Sequence, residues 1–139
     1  MRNPETGRVL VLFGQAGTGK STIAHEIARL FHEEKLLGSS VVFQRGEDSK
    51  RNGFQLFTTV ARDLCDVYPS FKIALGNDIT NDTSLLCARD FPTLFERLLL
   101  RPLDGLQTDN HILIVIDALD ESGDTTGRTG LHTFLANRL

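Results

Sequence analysis

"FGQAGTGKST", residues 13–22, lies between the apolar run "RVLVLF" (8–13) and "IAHEIARLF" (23–31). Gly14, four intervening residues, Gly19, Lys20 and Ser21 match G-x-x-x-x-G-K-[ST], the phosphate-binding P-loop. A triphosphate carries several negative charges and needs donors that arrive without side-chain bulk. Glycines let the backbone of Gly14, Gln15, Ala16, Gly17, Thr18 and Gly19 curl so that successive N–H groups form an anion nest. A helix beginning at the end of the loop adds the partial positive charge of its N-terminus. In this motif Lys20 reaches the β- and γ-phosphates and the Ser21 hydroxyl ligates Mg²⁺, while Thr22 lines the loop near the α-phosphate. A glycine-rich turn that binds nothing would account for Gly14 and Gly17. It would leave Lys20-Ser21 at the required offset unexplained.

The flanks supply the context that the motif needs. Val9, Leu10, Val11, Leu12 and Phe13 form an apolar run of the kind found in a parallel strand buried on both faces. Ile23, Ile27, Leu30 and Phe31 fall at i, i+4, i+7 and i+8, one face of a helix. Farther on, Gly38 closes this first unit and "SSVVFQR" (39–45) reads as a second strand. "GEDSKRNG" (46–53) reads as a polar loop. Phe54, Phe57, Val60 or Ala61, and Leu64 predict a second amphipathic helix, which Tyr68-Pro69 breaks. "GNDITNDTS" (76–84) is turn-rich. "DFPTLFERLLLRPL" (90–103) predicts a helix with Leu94, Phe95, Leu98 and Leu99 inward and Pro102 at its end. "HILIVID" (111–117) is the most strand-like segment of the chain. Strands alternating with helices predict an α/β domain with a parallel sheet.

Composition removes several classes of function. A net charge of −3 without a Lys/Arg cluster argues against nucleic acid, and the pair Lys50-Arg51 reads as a solvated loop. No apolar stretch reaches membrane-spanning length, and "MRNPETG" (1–7) lacks a secretory core, so no membrane partner and a cytoplasmic location are expected. Cys65 and Cys87 lack metal-ligand spacing, and two cysteines make no disulfide framework, so reduced thiols are expected. At 139 residues the chain is one domain, divided here into a polar segment 1–7 and a P-loop domain over 8–139.

The apolar run 112–116 leads into Asp117 within "VIDALDES" (115–122), the Walker B pattern. A carboxylate there emerges at the C-terminal edge of a parallel sheet, where nucleotides sit in open α/β folds. Asp117 would hold Mg²⁺ opposite Ser21; an Asp that merely caps the next loop is the bland alternative. Asp120 and Glu121 are close enough to orient water for attack on a γ-phosphate, and the residues alone do not choose between them. Asp124 reads as a loop charge.

Together, "GQAGTGKST" and "ILIVIDALDES" resemble the NACHT-type NTPases of the STAND class, in particular fungal NACHT and nephrocystin-like N-terminal domains. "STIAHEIARLF" and "FPTLFERLLLRPL" are similar to the same group, from about Gly7 to Leu139. The resemblance implies a P-loop NTPase fold, a three-layer αβα sandwich with a parallel sheet, here incomplete at its C-terminus. It implies a nucleotide-fuelled switch, ATP or GTP with Mg²⁺, hydrolysed slowly inside a longer signalling protein. Asp117 is then the metal carboxylate, and Asp120 or Glu121 the catalytic acid. Other protein domains, or further copies through NACHT-type contacts, are the implied partners.

Two further enzymes share the P-loop. A small-molecule kinase would need an arginine-bearing lid, for which Arg101 and Arg128 are candidates. A GTPase would read D-x-x-G where this chain has Asp120 at the fourth position. A truncated, non-enzymatic fragment is the third alternative. Members of the resembled class insert a later strand between the P-loop strand and the Walker B strand, and the sequence stops before supplying one. An open sheet edge is therefore expected, together with an uncovered apolar stripe at Leu131, Phe134, Leu135 and Leu139, and with them marginal stability or self-association.

Overall fold

The computed structural model describes residue 12 and residues 14–43, 52–106, 111–119, 131, 133–135 and 137. Helix α1 (Lys20–Glu33) opens directly from the glycine loop. Its exposed face carries Arg29 clasped between Glu26 at i−3 and Glu33 at i+4, a spacing that brings helical side chains together. The helix stops well before Gly38. Lys35 takes the left-handed conformation at φ 58°, while its N–H donates to His32 O at 3.0 Å and the Leu36 N–H donates to Phe31 O at 2.8 Å. This is a complete Schellman closure built without glycine.

Strand β1 (Leu37–Val42) therefore starts two residues before the segment predicted from 39. It pairs in parallel with β2 (Leu113–Asp117), from Leu37 opposite Leu113 to Val42 opposite Asp117. Gly38 is the extra residue where the register slips between Leu37 and Ser39. Its role is close approach rather than helix termination. A Cβ there would lie 2.5 Å from Ile112 Cγ2 and 2.9 Å from Leu64 Cδ2. Gly38→Ala is accordingly expected to overpack the site and lower stability by about 1–3 kcal/mol. A urea midpoint equal to wild type would contradict that.

Beyond the bulge β1 alternates: Ser39, Val41 and Phe43 lie on the core side, while Ser40 and Val42 are exposed. Helix α2 (Asn52–Val67) covers this side. The predicted stripe is the one buried, with Phe57, Val60, Ala61 and Leu64 at 3% exposure or less. Buried Ser39 donates from Oγ to Asp63 Oδ2 at 2.6 Å and so ties the strand to α2 without leaving its hydroxyl unsatisfied.

Helix α3 (Pro69–Asn81) runs through the first six residues of the segment predicted as turn-rich, 76–84. Phe71 and Leu75 are buried and Ile79 packs on the core, an i, i+4, i+8 stripe that outweighs the turn-forming Gly76, Asn77 and Asp78. A 3₁₀ turn (Thr83–Cys87) follows, its first turn held by Asp82, which accepts from Ser84 N at 3.1 Å.

Helix α4 (Phe91–Leu94) passes through a π-helical segment (Phe95–Leu100) into α5 (Arg101–Asp104), with α-helical dihedrals at each junction. Pro102 thus lies inside the helical path and is buried. Proline lacks an N–H and clashes with the carbonyl four residues back. The widened π turn just before it, a known form of helical accommodation, is where that misfit falls. Leu94, Leu98 and Leu99 are buried as expected, and Phe95 packs on the same core.

The C-terminal stripe is covered rather than bare. Leu131 is fully buried, and Phe134 and Leu135 pack against the core. The Phe134 ring meets Phe95 at 5.5 Å, Phe91 at 6.0 Å and Phe57 at 6.1 Å between centroids. Leu139 lies outside the described residues. By contrast, the α1 stripe is largely open. Ile23 and Leu30 are each 46% exposed, Phe31 is exposed too, and Ala28 alone in the helix is buried. Among the described residues α1 packs on β1 and β2. The molecule is mixed α/β, mostly helical, with a two-stranded parallel sheet among the described residues.

Candidate functional site: the glycine loop and the end of β2

Among the described residues, the loop ahead of α1 is closed by its own hydrogen bonds. Gln15 O accepts from Thr18 N at 3.3 Å and from Thr18 Oγ1 at 2.7 Å, so residues 15–18 form a tight turn. Gly17 and Gly19 hold φ 80° and φ 88°, and nothing lies within 4 Å of a Cβ added to either. The requirement for glycine at these two positions is conformational. At Gly14 it is steric, because an added Cβ would sit 2.8 Å from Thr18 Oγ1.

Gly19 precedes α1 without a side chain to cap it, and the first turn carries no acidic residue. The early amides of the helix, those of Lys20, Ser21 and Thr22, have no intrahelical partner. They add to the positive end of the helix dipole. Ser21 and Thr22 are exposed there. Lys20 folds back over the loop, donating from Nζ to Gly14 O at 2.5 Å and to Gln15 O at 2.9 Å. Gly14, Gln15, Thr18 and Lys20 are thus brought together, with Ala16 and Gly17 forming the exposed tip.

Asp117 ends β2, where its carbonyl accepts from Phe43 N at 3.1 Å and its carboxylate Oδ1 accepts from Ala118 N at 2.8 Å. Ala118 takes φ 54°, a left-handed conformation that L-residues with a Cβ adopt at a cost of about 1–2 kcal/mol. Helix α1 packs on β2, which brings the helix that follows the loop against the strand that ends in Asp117. Among the described residues Asp117 forms no ion pair with Lys20. The predicted strand 8–13 is described only at Leu12, which is 50% exposed and outside any strand. Asp120, Glu121, Asp124 and Arg128 lie outside the described residues. Arg101 faces Glu96 on its own helix, 3.9 Å away.

Thr18 was expected as part of the phosphate loop, but the bond from its hydroxyl to Gln15 O and the left-handed backbone of Ala118 escaped the reading of the sequence. Thr18 occupies a variable position of the motif, and its signal is the tendency of Ser and Thr to bond nearby backbone groups. Ala118 carries no sequence signal for its left-handed backbone. Cys65 and Cys87 are free thiols, and burial pushes the Cys65 thiol above its usual pKa. No group of three or more His, Cys, Asp or Glu among the described residues could hold a metal by itself. No helix among them is long and apolar enough to cross a membrane.

Comparison with curated proteins and with solved structures gives no match. The family model described as nephrocystin 3, N-terminal, matches residues 1–139, the whole chain. The chain belongs to the nephrocystin 3 N-terminal family.

Proposed function

We propose that the chain is the nucleotide-switch module of a NACHT/STAND-type signalling protein, built on a P-loop NTPase fold, binding Mg²⁺–ATP or GTP and hydrolysing it slowly. The observation that carries this is the loop itself. Two glycines with positive φ, uncapped first-turn amides and a lysine ammonium converge within residues 14–22. That combination recognises a polyphosphate: the amides supply fixed donors and Lys20 supplies a mobile charge. Mg²⁺ prefers a few protein ligands together with phosphate oxygens and water. A hydroxyl at Ser21 and a single carboxylate at Asp117 fit that preference, with no multi-carboxylate cage among the described residues. When bound, the ion neutralises charge on the phosphate oxygens. Asp120 or Glu121 would orient the attacking water. Other domains, or further copies of the chain, would receive the switched state.

Asp117→Asn provides the test. Mg²⁺–ATP affinity of this variant is expected to fall to the value that either protein shows in EDTA, while Asp120→Asn and Glu121→Gln keep the affinity of wild type. In a protein that turns over, one of the latter two stops phosphate release. An Asp117→Asn variant whose affinity still rises with Mg²⁺ as in wild type would remove the residue from its role.

A further inference from the structure

Gln15 O is the most heavily used acceptor of the loop, taking Thr18 N, Thr18 Oγ1 and Lys20 Nζ. A carbonyl oxygen has two lone pairs, so three donors compete for it. Lys20 has a second acceptor in Gly14 O, and its side chain is long enough to swing away. Thr18 has no such freedom. Its N–H and its hydroxyl fill both lone pairs of Gln15 O once the ammonium departs. The same hydroxyl lies over Gly14, close enough to exclude a Cβ there. Thr18 is also flanked by Gly17 and Gly19, the residues with the most backbone freedom to lose on ordering. A turn between two such glycines needs a tie that does not depend on ligand.

We propose that Thr18 is the positioning residue of the loop: its hydroxyl keeps the 15–18 turn closed while Lys20 exchanges the Gly14 and Gln15 carbonyls for anion oxygens. The exchange rests on the nucleotide-binding proposal, whereas the latch rests on the two bonds from Thr18 to Gln15 O alone. Binding would then proceed by substitution of acceptors at Lys20 on a turn that the Thr18 bonds to Gln15 O hold.

Thr18 is exposed, so replacing it leaves the core intact. Thr18→Val keeps the shape and removes the donor; Thr18→Ser keeps the donor. Nitrogen-15 relaxation of the ligand-free proteins should show order parameters at residues 16–19 falling from about 0.85 to below 0.6 in Thr18→Val, with Thr18→Ser as wild type. Mg²⁺–ATP affinity should weaken about five- to tenfold in Thr18→Val, the equivalent of one hydrogen bond, and be restored in Thr18→Ser. Unchanged order in Thr18→Val overturns the latch. Lost order with unchanged ATP affinity overturns the positioning role. Lost order in a protein whose wild type binds neither Mg²⁺–ATP nor Mg²⁺–GTP supports the latch and overturns only the nucleotide-binding proposal.

Discussion

Replacing Lys20 by alanine is expected to weaken Mg²⁺–ATP binding at least tenfold while leaving the fold as stable as wild type. The two halves of this expectation have separate physical origins. The ammonium would exchange two carbonyl partners, Gly14 O and Gln15 O, for phosphate oxygens carrying full negative charge. A hydrogen bond to a charged group contributes about 1.5–3 kcal/mol, and every 1.4 kcal/mol is tenfold in affinity. Stability is insulated because the bonds of the side chain stay within an exposed loop and involve no core residue. Titration calorimetry and thermal melting on the same samples check both halves. Equal affinities would show that Lys20 takes no part in binding, and a large drop in melting temperature would show that the lysine has a structural role instead.

Phe57→Ala is expected to have the largest effect on stability. Its side chain is 1% exposed and sits among Phe91, Phe95 and Phe134, with centroids at 5.8, 6.3 and 6.1 Å. One ring therefore joins α2, α4, the π-helical segment and the C-terminal residues around Phe134. Removing a buried phenylalanine costs about 3–5 kcal/mol, through lost transfer energy and the cavity left behind. Domains of this size have only about 5–15 kcal/mol in total. Chemical denaturation should show a large fall in midpoint, and a conservative Phe57→Leu should recover much of it. A change below about 1 kcal/mol would mean that the aromatic cluster does not hold these elements together.

These two residues differ in how clearly the sequence announced them. Phe57 was legible because helical periodicity repeats one face over several turns, and α2 buries the stripe that its spacing marks. Lys20 was legible through a motif in which each position has a chemical reason. The failures occurred where local and tertiary preferences compete. Residues 76–81 carry turn-forming side chains, yet Phe71, Leu75 and Ile79 draw them into α3. Gly38 looks like a helix stop, but the αL position belongs to Lys35 and the glycine serves close packing in β1. Pro102 is tolerated inside a helix because the preceding turn widens. Periodicity gives no information about partners. The stripe of α1 is present as spaced and remains open, while the stripe at Leu131 and Phe134 is covered by phenylalanines distant in sequence. For the candidate site, the glycines, Lys20 and Asp117 were readable as types at spacings. Thr18 was read as a loop residue, but its hydroxyl bond and the left-handed turn at Ala118 were not, because both depend on backbone conformation.

The most direct test of a nucleotide-binding loop is a two-dimensional amide NMR titration of the intact chain with Mg²⁺–ATP. Saturable shifts are expected first at Gly14 to Thr22, with Asp117 and Ala118 following when Mg²⁺ is present and remaining still in EDTA. Saturable shifts confined to other surfaces, or none up to millimolar nucleotide, would contradict the proposal that this loop binds a nucleoside triphosphate.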